Sequence, residues 1–170
     1  CVCRKLKKPV IDLAFIKSCC PKCFDKFACI PSRGASGGFL TIWNSSIFSG
    51  TVIVQEEFAL GVQFTSTLSA HAWSLYNIYG PCTWPARETF TQWLYDRDIQ
   101  ADADCLFLGD FNYIRGPENR NKPGGDVNDM ITFNDIIRKH NLVELPIKGR
   151  LYTWSNMQQD PLLEQLDWFF

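Results

Sequence analysis

The four residues Gly109-Asp110-Phe111-Asn112 place a carboxylate and an amide two positions apart, directly after the apolar run 106–108. If this stretch is a strand, its side chains alternate between two faces, so Asp110 and Asn112 point one way and Phe111 points into the core. A carboxylate and an amide together at the end of a buried strand form a candidate binding site. A strand that runs into an Asx-type turn explains the same residue types, because Asp and Asn favour such turns. These residues alone leave both interpretations open.

Two further stretches place a polar side chain in apolar surroundings. The first is Asn77-Ile78-Tyr79-Gly80-Pro81, where Asn77 and Tyr79 share one face of a strand that ends in a glycine turn. Its alternative interpretation is a core aromatic with its hydroxyl at the rim. The second is the apolar run 166–170, which contains Asp167. A carboxylate in such a strand is costly unless it is paired or lies at an edge, and the alternative is an edge Asp that caps a neighbouring loop.

A polar loop follows the Asp110 strand and carries three cations, Arg115, Arg120 and Lys122. Arg and Lys beside the end of such a strand could bind phosphate groups of DNA. A solvated loop with no ligand is the alternative.

Length and composition predict one packed globular domain over residues 1–170. The chain is 46% hydrophobic and 14% aromatic, and its net charge is -1. This charge gives no general attraction to nucleic acid, so DNA binding would need a local basic patch. No apolar run is long enough for a membrane span, and the first residues show no signal-peptide pattern. We therefore expect no membrane partner and a nuclear or cytoplasmic location. The first residue is Cys and the last residues are apolar, so we expect a domain truncated at both termini.

The chain contains 8 cysteines, and two of them form the C-x-x-C spacing Cys20-Pro-Lys-Cys23. Zinc needs four ligands, and the two histidines, His71 and His140, lack ligand spacing. Free thiols that pack as small hydrophobic side chains are the simpler expectation.

The hydrophobic pattern predicts sheets covered by helices, a two-layered α/β or α+β core. Helices are predicted at 12–17, 85–96 and 127–140. Strands are predicted at 39–44, 52–54, 58–64, 72–80, 105–110, 142–145, 151–154 and 165–170.

Four sequence blocks in order resemble the endonuclease/exonuclease/phosphatase superfamily: ASGGFLTIWN, NIYGP, LFLGDFN, and YTWSN with LDWFF. Within it, the chain resembles the endonuclease domain of LINE-type (non-LTR) retrotransposons of the plant kind. The resemblance implies a four-layered α/β sandwich, deoxyribonuclease-I-like, with two facing β-sheets flanked by helices. It also implies phosphodiester hydrolysis with Mg²⁺ or Mn²⁺ and a DNA target strand. It allows for a fused reverse transcriptase in the full-length protein, which would prime on the nick.

The resemblance also implies roles for four residues. Asp110 matches the aspartate that activates or orients the attacking water, and Asn112 matches the asparagine that helps bind metal and phosphate. Tyr79 matches a tyrosine that hydrogen-bonds the phosphate, and Asp167 matches the carboxylate that orients a catalytic histidine. These types suit in-line attack on a phosphodiester, which needs a hard cation and fixed donors.

Three departures from the family pattern leave the enzyme status uncertain. The family opens with a strand that ends in Trp-Asn, and this strand would lie upstream of the sequence. The family's principal metal-binding glutamate falls at Lys5, where a cation would repel the metal. The family's Ser-Asp-His block, whose histidine pairs with the equivalent of Asp167, lies beyond the sequence. We therefore expect an incomplete catalytic set and no activity. Two alternatives are a non-catalytic nucleic-acid-binding relic and a phosphatase of the same superfamily that acts on a small substrate.

Overall fold

The computed structural model describes residues 2–6, 11–32, 37–99 and 103–170. The chain forms two compact units. The first unit contains Cys1–Ile78 and Asp102–Phe107, and the second contains Tyr79–Ala101 and Leu108–Phe170. The prediction of a single domain stays a prediction.

The first unit contains a three-stranded antiparallel sheet of β1 (Val2–Leu6), β2 (Lys26–Ile30) and β3 (Gly38–Trp43), in the order β1-β3-β2. All residues of the central strand β3 are buried, as its apolar and β-branched sequence favours. The sequence predicted β3 but missed β1 and β2.

Helix α1 (Leu13–Cys19) packs on one face of this sheet. It begins where the Asp12 carboxylate accepts a hydrogen bond of 2.8 Å from the Phe15 amide, which satisfies one of the free amides of the first turn. Ile16, at 0% exposure, packs against Leu40 and Ile42 of β3.

Strands β4 (Phe48–Gln55), β5 (Ala59–Ser66) and β6 (Ala72–Tyr79) form an antiparallel meander. The meander faces the three-stranded sheet, because Trp43 of β3 contacts Phe64 of β5 edge to face with ring centroids 5.4 Å apart. Asn77 of β6 also donates from its amide to the Leu40 carbonyl, at 3.3 Å. The two predicted facing sheets are confirmed in the first unit.

Strand β7 (Cys105–Asp110) begins in the first unit and ends in the second. In the second unit its last residues pair antiparallel with β10 (Asp167–Phe169). The whole sheet has the strand order β10-β7-β6-β5-β4.

The second unit also contains α2 (Ala86–Tyr95), α3 (Val127–Lys139), and the two-stranded pair β8 (Trp154–Ser155) and β9 (Leu163–Glu164). A short 3-10 helix covers Pro117–Asn119. Helices α2 and α3 end within one residue of their predicted ends. The core of the unit is largely aromatic and contains Phe90, Phe111, Tyr113, Phe133, Trp168 and Phe170.

The predicted strand at 142–145 is wrong. The backbone there forms no ladder, and its Leu145 amide makes one hydrogen bond, of 2.8 Å, to the Phe169 carbonyl. Val143 is 74% exposed, so the apolar residues of this stretch did not indicate a buried strand. The predicted strand at 151–154 is also displaced, since β8 begins at Trp154.

None of the helices in the described part of the chain combines the length and apolar character needed to cross a membrane.

Candidate functional site

Asp110 and Asp167 lie directly opposite each other where β7 and β10 pair. Their exposures are 6% and 8%, so both side chains are buried. The Phe111 amide donates to the Leu166 carbonyl at 2.9 Å, which makes the next pair along, Asp110 with Asp167, a non-hydrogen-bonded pair. Side chains approach most closely across such a pair and lie on the same face of the sheet. The structure therefore brings these two predicted carboxylates together.

Thr153 fixes the start of β10, and sequence reasoning missed it. Its hydroxyl oxygen accepts hydrogen bonds of 3.0 Å from the amides of both Leu166 and Asp167. The only available signal was its place inside the YTWSN block. Thr153 thus determines where the Asp167 backbone lies relative to Asp110.

Asn112 lies just beyond the end of β7 in a left-handed conformation, with φ 54°. Its amide donates to Asp110 Oδ1 at 3.1 Å, which closes an Asx turn. The expected strand alternation therefore stops at Asp110, and the turn interpretation describes the backbone correctly. The turn still keeps Asn112 beside Asp110, because the two residues are directly hydrogen-bonded.

The side-chain amide of Asn112 has a defined orientation. Its Nδ2 donates to the Gly80 carbonyl at 2.5 Å. A carbonyl can only accept a hydrogen bond, so the NH₂ group faces Gly80 and Oδ1 faces away. Within the described ranges, Oδ1 has no hydrogen-bond partner. It is a hard oxygen acceptor next to the Asp110 carboxylate.

Two glycines make this close approach possible. The Gly80 amide donates to the Asp110 carbonyl at 2.7 Å, and a Cβ on Gly80 would lie 2.2 Å from the Phe111 carbonyl oxygen. Gly109 has φ 141°, a conformation that side-chain-bearing residues rarely adopt. Each glycine of the NIYGP and LFLGDFN blocks therefore has a steric reason.

Phe111 lies in the core, as predicted, with 0% exposure. Its ring contacts Phe133 and Phe170, with centroids 5.5 Å and 5.6 Å away. This packing fixes the backbone between Asp110 and Asn112.

Tyr79 is the last residue of β6 and is half-buried. It directly precedes Gly80, the residue that binds both Asp110 and Asn112, so its backbone lies next to the turn. Asn77 is fully buried in the first unit, where it donates to Leu40. Asn77 is therefore a structural side chain.

Arg87 and Asp129 adjoin the turn, and sequence reasoning missed both. Arg87, near the start of α2, donates from Nη1 to the Asn112 carbonyl at 2.7 Å. Its Nη2 donates to Asp129 of α3 at 2.6 Å. Nothing in the local sequence signals the first contact, because Arg87 and Asn112 lie 25 positions apart.

The three cations of the polar loop each face a carboxylate. Arg115 pairs with Glu144, Arg120 lies 3.4 Å from Glu164, and Lys122 lies 2.6 Å from Asp160. The side chains of Arg115 and Arg120 are 29% and 12% exposed, whereas that of Lys122 is 35% exposed. Lys122 is thus the most accessible, and its partner Asp160 is 91% exposed.

Lys5 belongs to β1, at a point where the register with β3 shifts between Arg4 and Leu6. Its side chain lies outside the described residues. Among the side chains that are described, no group of three or more His, Cys, Asp or Glu residues could hold a metal ion.

Cys20, Cys23 and Cys29 have free thiols. Cys20 and Cys29 pack against the core cluster of Ile16, and burial raises the pKa of the Cys29 thiol. Cys20 and Cys29 therefore pack as the small hydrophobic side chains expected from the sequence, whereas Cys23 is exposed.

Comparison with known proteins gives a structural match without a sequence match. No protein-family model matches the chain, and no curated protein matches it. The solved endonuclease domain of TRAS1, a telomere-specific non-LTR retrotransposon, aligns with a TM-score of 0.63 and 11% sequence identity. The alignment covers 85% of this chain and 66% of that one. The chain has a deoxyribonuclease-I-like fold.

A second solved structure is the human Nocturnin catalytic domain with a bound sulfate anion. It aligns with a TM-score of 0.47 and 11% identity, over 85% of this chain and 59% of that one. The chain thus spans about two thirds or less of the length of either structure.

Proposed function

We propose that this chain is part of the endonuclease domain of a LINE-type retrotransposon of the plant kind, with a site built for a DNA phosphodiester. One observation supports this most: Asp110, Asn112 and Asp167 meet at one end of the β7–β10 pair. The likeness to the TRAS1 endonuclease domain supports the fold on which this site stands.

The residues at this site suit the chemistry of phosphate transfer. Asp110 would orient the attacking water, Asn112 would direct Oδ1 to a metal-bound phosphate, and Asp167 would orient a general base. Tyr79 would donate from its hydroxyl to a phosphate oxygen.

The proposed ligands of a divalent cation are Asp110 and Asn112 Oδ1, which offer the oxygen atoms that Mg²⁺ and Mn²⁺ prefer. The set is incomplete, because Lys5 stands where the family has its principal carboxylate. When bound, the cation would neutralise the charge that develops on the phosphate.

We propose that this exact chain does not nick DNA. Lys5 occupies the position of the principal metal-binding glutamate and would repel a metal. The two histidines are engaged elsewhere, since His71 pairs with Asp104 and His140 hydrogen-bonds the Leu94 carbonyl. Loss of members of a cooperating catalytic set usually costs several orders of magnitude in rate. Lys5 also favours a second function, a relic that binds nucleic acid without cleaving it.

DNA is the proposed partner, and the loop of Arg115, Arg120 and Lys122 is its proposed contact surface. The full-length protein would also carry a reverse transcriptase. Its proposed location is nuclear or cytoplasmic.

A supercoiled-plasmid assay with Mg²⁺ or Mn²⁺ tests this proposal when it is combined with duplex-DNA binding. We expect binding without nicking. Nicking that disappears in Asp110→Ala would show that the site is active and that the cost of Lys5 is overrated. Hydrolysis of a small phosphate ester such as p-nitrophenyl phosphate, with no DNA binding, would replace the endonuclease proposal with the phosphatase alternative.

A further inference from the structure

The side chain of Arg87 joins three parts of the second unit. It is 12% exposed and donates to the Asn112 carbonyl at 2.7 Å and to Asp129 Oδ2 at 2.6 Å. Its Cζ lies 3.9 Å from the ring centroid of Tyr113, the residue after Asn112. The guanidinium is therefore fixed by a carbonyl, a carboxylate and an aromatic face.

Tyr113 also binds the backbone of Arg87, because its hydroxyl donates to the Arg87 carbonyl at 3.4 Å. Tyr113 is 2% exposed, so its ring gives the guanidinium a buried face to pack on. The beginning of α2 and the turn after β7 consequently fix each other's position.

Three contacts determine the orientation of Asn112, whose left-handed backbone asparagine tolerates better than most residues with a side chain. Its amide binds Asp110, its side-chain NH₂ binds Gly80, and its carbonyl binds Arg87. The remaining polar atom is Oδ1. Arg87 supplies the only one of these contacts that comes from outside the two glycine-containing blocks.

We propose that Arg87 is a positioning residue, which directs Asn112 Oδ1 towards a ligand beside Asp110 by holding the Asn112 carbonyl. This inference rests on the proposed function, because the ligand is the DNA phosphate of that proposal. Arg87 does not itself touch the ligand; it acts through Asn112.

The geometry requires arginine at this position. The planar guanidinium presents donors in a fixed fork and can bind the Asn112 carbonyl and Asp129 at the same time. A lysine ammonium is a single point charge on a flexible stem, so Arg87→Lys keeps the charge but loses the fixed orientation. Non-specific attraction of DNA therefore stays the same in this variant.

The first test is carried out on the free protein labelled with ¹⁵N. In Arg87→Lys, we expect the backbone and side-chain amide resonances of Asn112 to shift and the side-chain amide to lose protection from solvent exchange. Asp129→Asn keeps an acceptor oxygen and should give a smaller shift in the same direction. Arg138→Lys, an exposed arginine at the end of α3 that pairs with Asp135, is the matched control and should leave Asn112 unchanged.

The second test is a double-mutant cycle on duplex-DNA affinity. Arg87→Lys should weaken binding about 2- to 10-fold, as expected for one hydrogen bond. Asn112→Gly removes the amide while it tolerates the left-handed backbone. In this background Arg87→Lys should weaken binding no further. Arg87 affects binding only by orienting the Asn112 side chain, and glycine has no side chain to orient.

The outcomes separate this inference from the proposed function. Unchanged Asn112 resonances in both Arg87→Lys and Asp129→Asn would overturn the positioning role, whatever the protein binds. An equal loss of affinity in the parent and in the Asn112→Gly background would overturn it as well, since Arg87 would then act independently of Asn112. A parent protein that binds no duplex DNA would refute the proposed function, and the Asn112 resonances would still decide whether Arg87 controls the turn.

Discussion

Asp110 and Asp167 are cross-strand neighbours with both carboxylates buried. Thr153 holds the β10 side of this pair, because its hydroxyl oxygen accepts hydrogen bonds of 3.0 Å from the amides of Leu166 and Asp167. Thr153→Val keeps the shape of the side chain but removes this acceptor. We therefore expect it to lower the free energy of unfolding by about 1–3 kcal/mol, measured by urea denaturation. Thr51→Val, at an exposed position of β4, is the control and should leave stability nearly unchanged. An unchanged stability of Thr153→Val would mean that the two amides find another acceptor.

The contact between Gly80 and Phe111 leaves no room for a side chain. In Gly80→Ala, the new Cβ would meet the Phe111 backbone oxygen, which cannot rotate away as a flexible side chain could. We expect a loss of about 3 kcal/mol in the free energy of unfolding, at the upper end of overpacking costs. Gly149→Ala is the control: Gly149 has φ 86° but no atom within 4 Å of its Cβ position. It should lose only about 1 kcal/mol from backbone strain. Equal losses would show that the turn can move aside.

Stability should fall at high pH because of Tyr113. Burial raises the pKa of its hydroxyl from 10.0 to about 12, and the nearby Arg87 guanidinium opposes this shift. Above pH 10 the unfolded chain releases the proton while the folded chain keeps it, so the stabilisation is complete below pH 10 and is lost between pH 10 and about 12. The fall in melting temperature across this range should be smaller in Tyr113→Phe. Tyr95→Phe, at a residue that is 46% exposed, should retain the full fall.

Salt dependence tests the DNA contact surface. Three phosphate contacts would give a log-log slope of affinity against salt of about -2 to -3 on duplex DNA. All three cations are paired, but the pairs of Arg115 and Arg120 are largely buried, whereas Lys122 and its partner Asp160 are the most exposed. We therefore expect a slope of about -1, carried by Lys122. Lys122→Gln should flatten this slope. The same change at the exposed Lys148 should not, and a Lys122→Gln variant that keeps the parent slope would place the contact elsewhere.

The local sequence predicted the elements whose pattern agrees with their burial. The apolar stripe of α3 is an example, since Met130, Phe133, Ile136 and Ile137 are all buried. Strand β7 was also predicted with its observed bounds. By contrast, β1 carries charged residues and β2 begins with Lys26, so neither shows the β-branched run that marked the other strands. Their pairing with β3 comes from tertiary context.

Some residues of the candidate site were likewise predicted from the sequence, and others were missed. Asp110, Asn112 and Asp167 were identified because polar residues stood out in apolar strands. Arg87 and Thr153 were not identified, because each hydrogen-bonds backbone atoms of a distant segment. Every residue type has a backbone, so such a partner cannot be recognised from the sequence. The sequence also could not show that the basic loop is neutralised. Its carboxylate partners come from distant segments, such as Glu144, which lies 29 positions from Arg115.

The turn around Phe111 bears on what a sequence motif can show. Gly109 is required by its backbone angle, Phe111 by the aromatic core, and the Asp110 side chain by the bend it closes. Selection for folding alone would therefore preserve this short stretch, whether or not the site has a catalytic use. The presence of the motif is consequently poor evidence of activity.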